Sequence, residues 1–260
     1  MNKFSSFNLV LILLSGVVLL FIVAPLAGLF LHTSTNDIIT TVSDREVTDS
    51  IWLTLFTAML ATFMFSITAI PLAYILSKKS FPFKKLVNGI VDLPIVIPHS
   101  AAGIAILGLL CQNSFLGSSA SKIGFDFVGH PLGIALAMAF VSVPFLINAA
   151  RDGFSNVPVR LEKAALTLGA SPLRVFFTIS LPLAWRSVVS GLIMMFARGM
   201  SEFGAVIIIA YHPMITPILI FERFNAFGLK YARPVAVVFI TICLVFFVVL
   251  RLLSKERKNV

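Results

Sequence analysis

Residues 51–76 read IWLTLFTAMLATFMFSITAIPLAYIL, a run with no charge in it. Crossing a hydrocarbon layer of about 30 Å takes about 20 apolar residues at about 1.5 Å each. No water is available there, so the backbone must bond to itself, and the run predicts a helix. Five further runs repeat the reading on either side. Residues 9–31 are uncharged, 93–110 hold only His99, and 131–150 are uncharged again. Residues 188–210 contain one Arg and one Glu, and 234–250 are uncharged and dense in Val, Phe and Ile. The sequence predicts an all-α membrane protein with six transmembrane helices.

Composition agrees. A chain of 260 residues that is 58% hydrophobic, with mean hydropathy +1.02, is not a soluble globule. The spans use nearly all of it, so residues 1–260 form a single transmembrane domain. The net charge is +9. In a soluble protein that would suggest nucleic acid, but here the cations flank spans and read as topology signals. Lys3, Lys78, Lys79, Lys84, Lys85, Arg151, Arg160, Lys163, Arg174, Arg186, Arg251, Lys255, Arg257 and Lys258 fall on one side. Arg45, Lys122, Arg223, Lys230 and Arg233 fall on the other, and Arg198 lies within a run. The excess places both termini in the cytoplasm of a multi-pass protein of the inner or plasma membrane. The first run is too long for a signal-peptide core and has no clean cleavage site, so it reads as an uncleaved span. Cys111 and Cys243 sit in or beside apolar runs and read as buried thiols.

The connection 151–181 is the longest on the cytoplasmic side. Pro158 suits a helix start. Leu161, Ala164, Ala165 and Leu168 then share one apolar face, and Gly169 stops the helix. Ser171 caps a second short helix with Pro172 in its first turn, presenting Leu173, Phe176 and Phe177. Pro182 restarts the chain into the fifth span. Two readings stand on these residues. The helices lie passively in the membrane interface, or they face a soluble partner, with Arg160, Glu162, Lys163 and Arg174 around small Ala164 and Ala165.

The loop also carries spaced residues of a known kind. Lys163-Ala164-Ala165, then Gly169, then Ile179-Ser180-Leu181-Pro182 resembles the motif EAA, three residues, Gly, nine residues, I-x-L-P. That motif marks the permease subunits of binding-protein-dependent ABC importers. Lys163 stands where the motif has Glu, and Glu162 precedes it. The string Ala197-Arg198-Gly199-Met200-Ser201-Glu202-Phe203-Gly204-Ala205 resembles the A-R-x-x-x-E-F-G-A of the molybdate, tungstate and sulfate permeases. Residues 92–103, DLPIVIPHSAAG, are similar to their L-P-x-x-x-P-P-T-x-x-G, with His99 for the second Pro and Ser100 for Thr.

The resemblance implies a homodimeric permease importing a tetrahedral oxyanion, molybdate or tungstate first, sulfate or thiosulfate second. It implies two separate ABC ATPase subunits that bind the ATP and Mg, a periplasmic or extracellular binding protein, and no cofactor in this chain. The loop between helices 4 and 5 becomes a coupling helix, with ATPase contacts at Arg160, Glu162, Lys163, Ala164, Ala165, Gly169, Ser171 and Arg174. The chain is not expected to be an enzyme. It has no G-x-x-x-x-G-K-[ST] string and no H-E-x-x-H. A secondary transporter would need coupling carboxylates within its spans or an inverted repeat. One intramembrane acid and no evident repeat argue against that.

Two sets of residues inside the membrane remain. Arg198 and Glu202 are four apart and fit a pair on one helix face. Insertion scales charge about 2.5–3.5 kcal/mol for one such side chain at the bilayer centre, which pairing offsets. The pair either lines the path or only orders the bundle, and a Glu that met a dianion would repel it. The path itself is assigned to Ser100, Gly103, Gly199, Ser201 and Gly204, small groups that let helices approach and leave N–H donors accessible.

Overall fold

A computed structural model describes residues 6–253, and every regular element among them is helical. In order these are α1 (Ser6–Leu31), α2 (Thr35–Ser43), α3 (Arg45–Lys78), α4 (Lys84–Val96), α5 (His99–Leu110), α6 (Phe115–Ser121) and α7 (Pro131–Ser155). Next come α8 (Val159–Thr167), α9 (Pro172–Val175), a π-helical turn (Phe176–Ser180), α10 (Leu181–Met200), α11 (Val206–Ile209), α12 (Thr216–Phe227) and α13 (Leu229–Leu253). Five helices are long and apolar enough to cross a membrane, and six spans result if α4 and α5 are one broken span. The terminal cations Lys3, Lys255, Arg257 and Lys258 lie outside the described residues.

The core is built where α3, α7 and α10 meet. The inner face of α3 is small: Ala58, Ala61, Ala69 and Ala73 are buried. Its buried hydroxyls turn back on the helix, with Thr54 Oγ1 donating to Ser50 O (2.7 Å) and Thr62 Oγ1 to Ala58 O (2.8 Å). Small groups bring helices close, and hydroxyls bonded to their own backbone cost little in hydrocarbon. The opposite stripe, Trp52, Phe56, Met59, Phe63 and Ile67, is exposed, as a lipid-facing side should be. Helix α1 stands apart, with none of its span buried. It packs beside α13, where Arg233 Nη1 donates to His32 O at 2.7 Å.

Three expectations need correction. The run 93–110 is not one straight helix. It breaks between α4 and α5, whose axes differ by 111°. Pro98 cannot donate a backbone N–H and pushes Ile97 out of helical geometry, to φ −72° and ψ 147°. The run 188–210 is not one helix either. Helix α10 stops at Met200, and the chain turns through Ser201 before the short α11. The second short helix of the loop does not end before the fifth span. Residues Pro172–Met200 run continuously. The π turn makes this possible, because Leu181 N bonds back to Phe176 O across an extra residue and re-phases the ladder ahead of Pro182.

Candidate functional site

Helix α8 is held at one end of the bundle with a defined orientation. Pro158 precedes it, and Gly169 ends it with φ +82°. Ala170 N donates to Ala165 O and Gly169 N to Leu166 O, both at 3.0 Å, which closes the helix in a Schellman turn. Ser171 Oγ then accepts from Arg174 N at 3.3 Å and starts α9. Leu161, Ala164 and Leu168 of the expected apolar face all point outward, and Leu168 is 88% exposed. Arg160, Lys163, Ser171 and Arg174 are exposed too, while Ala165 is half-buried.

Glu162 does the reverse. Expected among the outward polar residues, it is buried within the chain. Ser180 Oγ donates to its Oε1 at 2.6 Å, and Lys78 Nζ stands 3.3 Å from its Oε2. Lys78 also donates to Val157 O at 2.7 Å. Both charged side chains are only 9% exposed. A carboxylate that loses water must gain donors, and the last residues of α3 and of the π turn supply them. The anchored side of α8 is thus Glu162 with half-buried Ala165 beside it, and Leu161, Ala164 and Leu168 are uncovered. Residues 78, 162 and 180 are too far apart in sequence for spacing to reveal this joint.

A second joint lies within the bundle, where α10 ends and α5 begins. Glu202 is past the end of α10, so it and Arg198 are not on one continuous helix; the turn at Ser201 brings them together. Arg198 Nη2 lies 2.9 Å from Glu202 Oε2. Glu202 Oε1 accepts from Ala205 N at 2.9 Å, and its side chain is wholly buried. His99, absent from the predicted site, completes the cluster. Its Nδ1 is 3.0 Å from Glu202 Oε2 and its Nε2 is 3.0 Å from Arg198 Nη2. The tautomer carrying the proton on Nδ1 suits both neighbours. Arg198 Nη1 also donates to Ser201 Oγ at 3.3 Å.

The five predicted path residues divide here. Gly103, Gly199 and Gly204 are contact points between helices. A Cβ on Gly103 would come within 2.8 Å of Ala205 O, and one on Gly204 within 2.8 Å of His99 Cβ. Gly199 is buried against Ala58 and Met138. Ser100 and Ser201 are exposed beside His99 and Arg198. The hints of His99 in the sequence were its place as the sole ionisable group in the third run and its position in the stretch 92–103.

Residues 69–259 match the family described as binding-protein-dependent transport system inner membrane component. The chain belongs to that family. This permease is 44% identical over 241 residues to the molybdate/tungstate transport system permease protein WtpB of Thermococcus kodakarensis, covering 92% of each chain. It is 32% identical to the probable sulfate transport system permease protein cysT of Marchantia polymorpha, over 82% of this chain and 76% of the relative. Its fold matches a crystal structure of a bacterial ABC transporter that imports the polysaccharide alginate, with TM-score 0.75 at 18% identity, covering 97% and 96% of the two chains.

Proposed function

We propose that the permease carries a tetrahedral oxyanion, molybdate or tungstate, inward across the cell membrane in an ATP-driven importer. Two copies form the path. An ATPase subunit docks on each α8, and a binding protein delivers the anion at the opposite end, with both termini in the cytoplasm. One observation carries the coupling role: Leu161, Ala164 and Leu168 of α8 are uncovered while Glu162 fastens the helix to α3 and the π turn. An uncovered apolar face on an anchored helix is a seat for a partner. A push on it reaches the bundle because packed elements move as rigid bodies. The cargo rests on the relatives: the molybdate/tungstate permease matches at 44% identity, the sulfate permease at 32%.

Co-purification and uptake test this. The permease, expressed with its candidate ATPase and binding protein in vesicles, should accumulate molybdate or tungstate only when ATP is supplied. Ala165→Glu puts a charge at the seat, and Gly169→Pro cannot adopt the φ of +82° that the turn requires. Each should reduce recovery of the ATPase at least ten-fold while the spans still insert. Wild-type ATPase recovery with both variants would refute the seat, and ATP-independent uptake would refute the importer.

A further inference from the structure

We propose that the uncovered edge of the second joint, formed by Arg198, His99, Ser100 and Ser201, is a passing contact for the oxyanion on its way through the permease. This rests on the reading that the cargo is a tetrahedral oxyanion.

The argument starts from exposure. Arg198 and His99 are 23% and 36% exposed, and both serines are open. A guanidinium edge cannot face hydrocarbon cheaply; an insertion penalty of about 2.5–3.5 kcal/mol attaches to a charge at the bilayer centre. The side of the bundle that shows this edge is therefore the watery one. A pair that served only to tie α10 to α5 would have no need of an open guanidinium.

The donors fit the ligand. Guanidinium N–H groups and the Ser100 hydroxyl suit the oxygens of a tetrahedral anion. His99 directs its Nδ1 to Glu202 and Ser201 Oγ donates to Arg198 O at 3.1 Å, so these two shape the edge and hold the guanidinium in place. Helix α5 starts at His99, and Pro98 gives it no side-chain cap. The first-turn amides and the positive end of that helix lie within the cluster. Transporters commonly place broken helices of this kind where an anionic group must be met. The carboxylate is kept away from the anion, because Glu202 is wholly buried behind Arg198 and His99. It also sets the strength of the contact. With Glu202 against it, Arg198 offers hydrogen bonds while most of its charge is already opposed, so the anion is recognised and then released.

The assembled importer, with permease, ATPase and binding protein in vesicles, gives the test. Molybdate taken up and ATP hydrolysed are measured together, and the ratio of the two is the readout. Ser201→Asp places a carboxylate against Arg198 on the open edge and should lower that ratio at least ten-fold. Ser201→Thr keeps the hydroxyl and should retain more than a third of it. Ser100→Asp, on the other helix, should act like Ser201→Asp, and it serves if the first variant does not assemble by gel filtration. A ratio within two-fold of wild type in an assembled Asp variant overturns the contact. If the wild type takes up sulfate instead, and the Asp variants lose that uptake, the contact stands and the molybdate assignment falls. If the wild type moves no oxyanion at all, the contact falls together with the proposed function.

Discussion

The permease has two joints made from the same parts, a cation, a carboxylate and a serine, and they are finished differently. Around Glu162 every charged atom is covered: Lys78 and Glu162 show the same small exposure, and Ser180 is buried. Around Glu202 the carboxylate is covered, but Arg198, His99 and Ser201 are partly or fully open. The closed joint binds three elements, α3, α8 and the π turn, into one block that can transmit a load. The open one binds the end of α10 to the start of α5 and leaves donors facing outward. Coverage, more than composition, separates the two joints.

The sharpest way to break this comparison is Glu162→Ala. It strands the Lys78 ammonium in a covered site and should cost about 3–5 kcal/mol. The paired change Lys78→Met with Glu162→Leu should recover most of that, read as thermal stability in detergent by size-exclusion chromatography. At the open joint the matching contrast is gentler. Glu202→Gln leaves a cation that water can reach and should cost about 1–3 kcal/mol. Arg198→Met together with Glu202→Met should be more stable than that single variant. Equal losses from Glu162→Ala and Glu202→Gln would erase the distinction drawn here.

The smallest effect belongs to a third, surface pairing outside the spans. Arg223 Nη2 donates to Asp44 Oδ2 at 2.6 Å and to Glu46 Oε2 at 2.9 Å. The bond from Arg223 holds the Asp44 carboxyl below its ordinary value of 3.8. A lowered folded-state pKa stabilises above the unfolded value, and that stability is lost as pH falls through the folded one. Asp44→Asn keeps the cap on α3, where Asp44 Oδ1 accepts from Glu46 N. It should lower stability at pH 7 by about 0.2–1 kcal/mol, because the site is open to water and salt. The gap from wild type should begin to narrow below about pH 4 and close as pH falls through the lowered folded-state value. A gap that did not shrink as pH fell through that range would show that the pairing is not its source.

The spans were legible because long apolar runs have few alternatives. The turn at Gly169 and the cap at Ser171 were legible because both are local. The break at Ile97-Pro98 was passed over because a hydropathy run averages across a proline, which membrane helices tolerate. The end of α10 at Met200 was hidden for the same reason: residues 201–210 remain apolar after the helix has stopped. Neither joint could be read in full, since Lys78 meets Glu162 and His99 meets Glu202 only after folding. Helix α8 teaches most. Its amphipathic pattern was plain, but the apolar side proved to be the uncovered one and an acid the buried one. Within one chain the open Leu161 and Leu168 have no cover, and they are the residues that the proposed ATPase contact would bury.

Helix α1 has a consequence for biogenesis. Among the described helices α1 is made before all the others, and its neighbour α13 after them. Until α13 is made, α1 has lipid for company, and the two are stitched together only after translation of everything between them.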